Sequence, residues 1–229
     1  MTGSGSVLVQ GRDVSKTYRR NAERVHALRS VGLTLHAGEL VALVGPSGSG
    51  KSTLLNVLCG WEHPESGVLT WGGDLAGRKA DELSWGQLAL IPQALGLLED
   101  LTVAENISLP ARLTGRRGGK EDRTEELMDS VGISHLAHRY PRQASLGEQQ
   151  RCCVSRALSL RPLVILADEP TAHQDAHWTE VVFASFRDVV DRGGVCLIAT
   201  HNPATWSYAD RVLSMHDGVL TEGAPAPVH

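Results

Sequence analysis

Apolar positions fall along the chain in two rhythms. Alternation with a period of two marks strands at VLVQGRDV (7–14) and VGLTLHAGEL (31–40), the second turning at Ala37-Gly38. Short unbroken apolar runs mark buried strands at LVALVG (40–45), LVILADEP (163–170) and VCLIAT (195–200). SGVLTWGG (66–73) closes on a Gly-Gly turn, and LALIP (88–92) is ended by Pro92. Helical spacing appears in KSTLLNVLCGW (51–61), TVAENISLPARL (102–113), EDRTEELMDSVG (121–132), EQQRCCVSRALSL (148–160) and DAHWTEVVFASFRDVVDRGG (175–194). TGRRGGK (114–120) is a loop whose Arg116-Arg117 pair is expected to be solvated, and RVLSMHDGVL (211–220) is a hairpin turning at Asp217-Gly218. The tail EGAPAPVH (222–229) is expected to fray.

Buried strands alternating with helices predict an α/β fold with a mixed or parallel sheet covered on both faces. The change of texture after residue 93 predicts a helical subdomain at about 94–160, inserted into a core of about 1–93 and 161–221, in one domain spanning 1–229. The 229 residues are ample for one such core.

A composition of 41% hydrophobic and 21% charged residues is that of an ordinary globular chain, and a net charge of -4 argues against nucleic acid as a partner. No apolar run reaches membrane-span length, and the start lacks signal-peptide character, so a cytoplasmic location is expected. Cys59, Cys152, Cys153 and Cys196 have no CxxC spacing and read as buried thiols. His173 and His177 have i,i+4 spacing without the glutamate of an HExxH site, and read as a solvated helix face.

Chemistry concentrates at GPSGSGKST (45–53). Gly45, Gly50, Lys51 and Ser52 fit G-x-x-x-x-G-K-[ST] between a buried strand and a helix. Glycines let successive N–H groups face a polyphosphate, the helix dipole adds positive character, Lys51 reaches the β- and γ-phosphates, and the Ser52 hydroxyl ligates Mg²⁺. Such a site needs an acid at a neighbouring strand end, and LVILADEP supplies Asp168 for the metal and Glu169 to polarise an attacking water. ASLGEQQR (144–151) opens a further helix, with Ser145 in N-cap position, and free N–H groups there can also meet an anion.

With these residues in place, the chain resembles the ATP-binding subunits of ABC transporters over almost its whole length. GPSGSGKST, from Gly45 through Pro46, Ser47, Gly48, Ser49, Gly50, Lys51 and Ser52 to Thr53, corresponds to the Walker A loop, and LVILADEPT to Walker B. Tyr18 in SKTYRR matches the aromatic that stacks on adenine. Gln93 in IPQAL matches the Q-loop glutamine, a Mg²⁺ contact. Asp175 in AHQD matches the D-loop aspartate, and His201 in ATHNP the switch histidine. ASLGEQQR stands where the family has LSGGQ or LSGGE followed by QQR. Phrases such as LTVAENISLPARL and YPRQ look like lipoprotein-releasing and macrolide-exporter type ATPases.

The resemblance implies ATP and Mg²⁺ as cofactors and a head-to-tail pair of cassettes, as a homodimer or heterodimer. Ser145, Gly147 and Glu148 of one chain would then meet the partner chain's ATP. It further implies a membrane permease as partner, a position on the inner face of the cell membrane, and ATP hydrolysis driving an exporter or lipid extractor. Leu146 replaces the first signature glycine, Ala144 the usual leucine, and AHQD the usual SALD or NLD. Those departures raise the alternative of a weak-turnover regulatory subunit in a heterodimer. A soluble non-transport ABC ATPase is a further rival.

Overall fold

The computed structural model of the chain describes residues 5–20, 23–115 and 122–224. Two sheets carry the fold. In the first, β1 (Val7–Arg20) lies between β2 (Glu23–His36) and β4 (Ser66–Trp71), all antiparallel. The second has the order β5-β6-β7-β3-β8-β9. Its strands β5 (Leu88–Ile91), β6 (Val164–Asp168), β7 (Val195–Thr200), β3 (Glu39–Val44) and β8 (Arg211–His216) run parallel, and β9 (Val219–Glu222) closes the edge antiparallel.

The helices are α1 (Lys51–Leu58), α2 (Val103–Leu113), α3 (Thr124–Ser130), α4 (Leu146–Leu158) and α5 (Ala176–Asp191). The unbroken apolar runs of β3, β6 and β7 are explained by burial on both faces. Val41, Leu43, Val164, Leu166, Val195 and Leu197 pack toward β1, β2 and α1. The intervening Leu40, Ile165, Ala167, Cys196 and Ile198 pack toward α2, α4 and α5. The ends of β3, β6 and β7, which carry the glycine loop, Asp168 and His201, are thereby fixed from two sides.

Several expectations need correction. The first hairpin is far longer than the alternation suggested, because β1 and β2 each run 14 residues and carry Tyr18 on the extension. Cys59 is only half-buried, whereas Cys152, Cys153 and Cys196 are fully buried. His177 lies on α5, but His173 sits in the turn before it, so the two exposed histidines share no helix face. Glu222 ends β9 rather than starting a frayed tail; residues 225–229 and the Arg116-Arg117 pair lie outside the described residues. The hairpin at Asp217-Gly218 forms as expected, with both residues at positive φ (47° and 80°).

Candidate active site

The loop between β3 and α1 is built around glycine. Gly45 has φ 151°, and a Cβ there would lie 2.1 Å from the Met215 carbonyl oxygen; Gly50, the N-cap of α1, has φ 110°, and its Cβ would lie 2.3 Å from that of Ala27. No other residue fits either place. Lys51 curls back over the loop, its Nζ donating to the carbonyls of Gly45 at 2.8 Å and Pro46 at 2.9 Å. Burial pushes the ammonium below its ordinary range, while Glu169 and Asp168 hold it up. Ser49 Oγ is buried with no partner among the described residues, an unsatisfied donor under the loop.

Asp168 ends β6 facing α1. Burial pushes its carboxyl up; a hydrogen bond with Ser52 pulls it down, Glu169 raises it again and Lys51 lowers it. Glu169 follows at φ 50°, a left-handed conformation that costs a non-glycine residue ~1–3 kcal/mol. It is held there from every side. Its N–H donates to Ala199 O at 2.9 Å, and its own C=O accepts from Gln150 Nε2 at 3.4 Å. Its Oε1 accepts from the His201 N–H at 3.0 Å and lies 2.6 Å from His201 Nδ1. The strained backbone turns the carboxylate to the end of β7, where His201 stands.

A single cavity of about 800 Å³ joins these groups. Pro46, Ser47, Gly48, Gly50, Lys51, Ser52 and Thr53 line it together with Gln93, Asp168, Glu169 and His201, and Tyr18 forms its wall on the hairpin arm. Sequence reasoning missed Glu62, which accepts from the Tyr18 hydroxyl at 2.6 Å and pairs with Lys16 at 3.1 Å. These contacts fix the ring's edge, and nothing in the sequence links two positions 44 residues apart.

Ser145, Gly147 and Glu148 lie outside that cavity, at the start of α4. Ser145 is the N-cap: its hydroxyl accepts from Glu148 N at 3.3 Å, and the Glu148 carboxylate accepts from Ser145 N at 2.7 Å. The glutamate is thus turned back into the cap. Leu146 is the first residue of α4, with helical backbone and its side chain 55% exposed. The steric demand falls on Gly147 instead, where a Cβ would lie 2.8 Å from the His173 carbonyl oxygen. Asp175 caps α5, accepting from Trp178 N at 2.9 Å.

The loop, the acids and the histidine line one cavity, and the chain that carries them is similar to known nucleotide-binding proteins. Residues 28–172 match the family profile described as ABC transporter. The chain is 40% identical over 223 residues to the macrolide export ATP-binding/permease protein MacB of Salmonella choleraesuis (strain SC-B67), covering 93% of this chain and 34% of that protein. MacB of Escherichia coli (strain K12) is 38% identical, with 96% and 35% covered. The chain therefore spans about a third of the length of these relatives. Among solved structures, the ATP-binding cassette MJ0796, a dimer in a post-hydrolysis state bound to ADP and Pi, is similar at TM-score 0.82 and 29% identity, covering 94% of this chain and 98% of that one. A second dimeric structure of MJ0796 aligns at TM-score 0.81. This chain belongs to the ABC transporter family, as an ATP-binding cassette of the ATPase type.

Proposed function

We propose that the chain binds MgATP, hydrolyses it as one of a pair of cassettes, and drives a membrane permease of exporter or lipid-extractor type. The observation that carries this reading is the meeting of loop, Asp168, Glu169, His201 and Gln93 in one cavity. The relatives' names join an ATP-binding part to a permease, and the MJ0796 cassettes are dimers, which supports both partners. In this reading the chain is one domain, with the core at about 1–93 and 161–221 and the helical subdomain at about 94–160.

Each side chain has a task. Tyr18 lies under the base. The loop N–H groups of 45–53 and Lys51 hold the phosphates. Ser52, Asp168 and Gln93 would hold Mg²⁺, which when bound neutralises charge on the β- and γ-phosphate oxygens. The residues fit it: two carboxylates crowd one lysine, and Asp168 already bonds the Ser52 hydroxyl. Among the described residues no three His, Cys, Asp or Glu side chains are arranged to hold a metal ion on their own. Glu169 takes the proton of the attacking water, and His201 orients Glu169 and the γ-phosphate. Ser145, Gly147 and the N–H groups around them serve the partner chain's ATP, Asp175 lies in the same interface, and Glu148 acts by fixing the cap. Direct tests are phosphate release that EDTA abolishes and dimerisation that requires MgATP; a monomer without turnover under saturating MgATP would overturn the reading.

For the permease we assign a groove of about 530 Å³ lined by Trp61, Trp85, Pro92, Gly96 and Leu98, with Trp61 66% and Trp85 44% exposed. Segment 92–98 connects it to the nucleotide cavity: Gln93 lines the cavity, and Gly96 and Leu98 line the groove. Arg156 bonds the carbonyls of Leu95 and Gly96 (3.0 and 2.8 Å), and buried Asn106 bonds Leu98, so the segment moves with the helices. Nucleotide contact at Gln93 is thereby felt in the groove. The double variant Trp61→Ser, Trp85→Glu is expected to keep the basal ATPase rate and lose the permease-stimulated rate in proteoliposomes; equal stimulation would remove the groove from the coupling path. Among the described residues no helix is long and apolar enough to cross a membrane; in this reading the chain sits at the membrane's inner face against the permease.

The weak-turnover alternative drew its main support from Leu146, with AHQD beside it. With a helical backbone and an exposed side chain, the leucine carries no left-handed strain. Leu146→Gly in a Glu169→Gln background is expected to leave the MgATP dependence of dimerisation within about twofold, since the ~1–3 kcal/mol strain term is absent. A tenfold gain on size-exclusion chromatography would revive the alternative.

A further inference from the structure

We infer that Gln174 is a positioning residue that locks the turn before α5 to the first turn of α4, so that Ser145, Gly147 and Asp175 meet a partner cassette as one rigid face. The inference rests on the two-cassette reading above.

Gln174 stands in AHQD, where the resemblance leads one to expect leucine. Both ends of its amide are engaged: Nε2 donates to Gly147 O at 2.8 Å, and Oε1 accepts from Arg151 Nη1 at 3.0 Å. Both partners belong to α4. Gly147 carries no side chain because His173 O passes 2.8 Å from where a Cβ would sit, which brings the turn within reach of the helix backbone. Arg151 is nearly buried, and its guanidinium lies 4.1 Å from the centre of the Trp178 ring on α5. That ring in turn covers Gly132 after α3, where a Cβ would lie 2.2 Å from it. One turn further along α4, Gln150 Nε2 donates to Glu169 O at 3.4 Å. The segment from Glu169 to Gln174 is thus tied to α4 at both ends, and the tie nearer the surface depends on Gln174.

A leucine could make neither bond. The turn and the helix start would then be ordered separately when two cassettes close, and closure would need more ligand. The unusual residue is thus a device that stiffens the face offered to the partner. It does not mark its decay.

The test compares Glu169→Gln with Glu169→Gln, Gln174→Leu in the full chain. Gln174→Leu is expected to raise the MgATP concentration for half-maximal dimerisation about tenfold, the scale of one net hydrogen bond. The ATP affinity of the monomer should stay unchanged, its melting temperature should fall by only a few degrees, on the order of one or two net hydrogen bonds, and amide exchange over residues 145–149 should quicken in the monomer. Dimerisation at the same MgATP concentration, or unchanged exchange at 145–149, would overturn the inference while leaving the two-cassette reading intact. A Glu169→Gln reference that stays monomeric in saturating MgATP would overturn both.

Discussion

Lys51→Ala is expected to lower ATP affinity by at least about a hundredfold and to abolish measurable turnover. In the loop the ammonium bonds two carbonyls, those of Gly45 and Pro46, at 2.8 and 2.9 Å. Phosphate oxygens replace them on binding, and hydrogen bonds to charged groups contribute roughly 1.5–3 kcal/mol each. Two such bonds correspond to about two to four powers of ten in affinity. The loss is compounded by electrostatics. Lys51 is the cation that Asp168 and Glu169 both face, and without it two buried carboxylates would meet the phosphates with one fewer positive charge between them. Titration with a fluorescent ATP analogue, beside a phosphate-release assay, measures both effects. An affinity within about threefold of the parent, with circular dichroism unchanged, would show that the loop N–H groups hold the phosphates without the lysine.

Much of this site was legible because its chemistry is local. The strand, loop and helix around Gly45–Thr53 are contiguous, and each residue's task follows from its neighbours. Asp168 and Glu169 were legible for a related reason, since acids directly after an apolar run sit at a buried strand's end. What could not be read were contacts made across the fold. Glu62 reaches Tyr18 from the turn after α1, and Gln174 reaches back to Gly147 and Arg151. Neither pair has a periodic signal, because polar side chains that meet through loops obey no spacing rule. The long β1–β2 arm was missed for another reason: near Lys16 the register shifts and the alternation that signals a strand is lost. The signature segment shows the limit of reading residue types alone. The resemblance puts a glycine at 146, where this chain has leucine on plain helix, and the glycine that the fold requires is Gly147, for closeness to His173.

Glu169→Gln is expected to slow hydrolysis by about a hundredfold or more, the scale of losing a general base, while ATP affinity stays near the parent value. The substitution suits the site's geometry. One side-chain oxygen remains to accept from the His201 N–H, so the contact observed at 3.0 Å survives. The backbone bonds to Ala199 and Gln150 do not involve the side chain, so the φ of 50° stays supported. What disappears is the negative charge that would take a proton from water, together with its repulsion of Asp168 and of the phosphates. Binding and closure should therefore be spared or favoured, and MgATP should accumulate a dimer on size-exclusion chromatography that the parent forms only transiently. His201→Ala gives the control, because it leaves the carboxylate and removes the group that orients it. Its rate should fall less than that of Glu169→Gln if the glutamate is the base, and at least as far if the histidine carries the chemistry itself. Turnover of Glu169→Gln within threefold of the parent would move the proton-accepting role off Glu169 altogether.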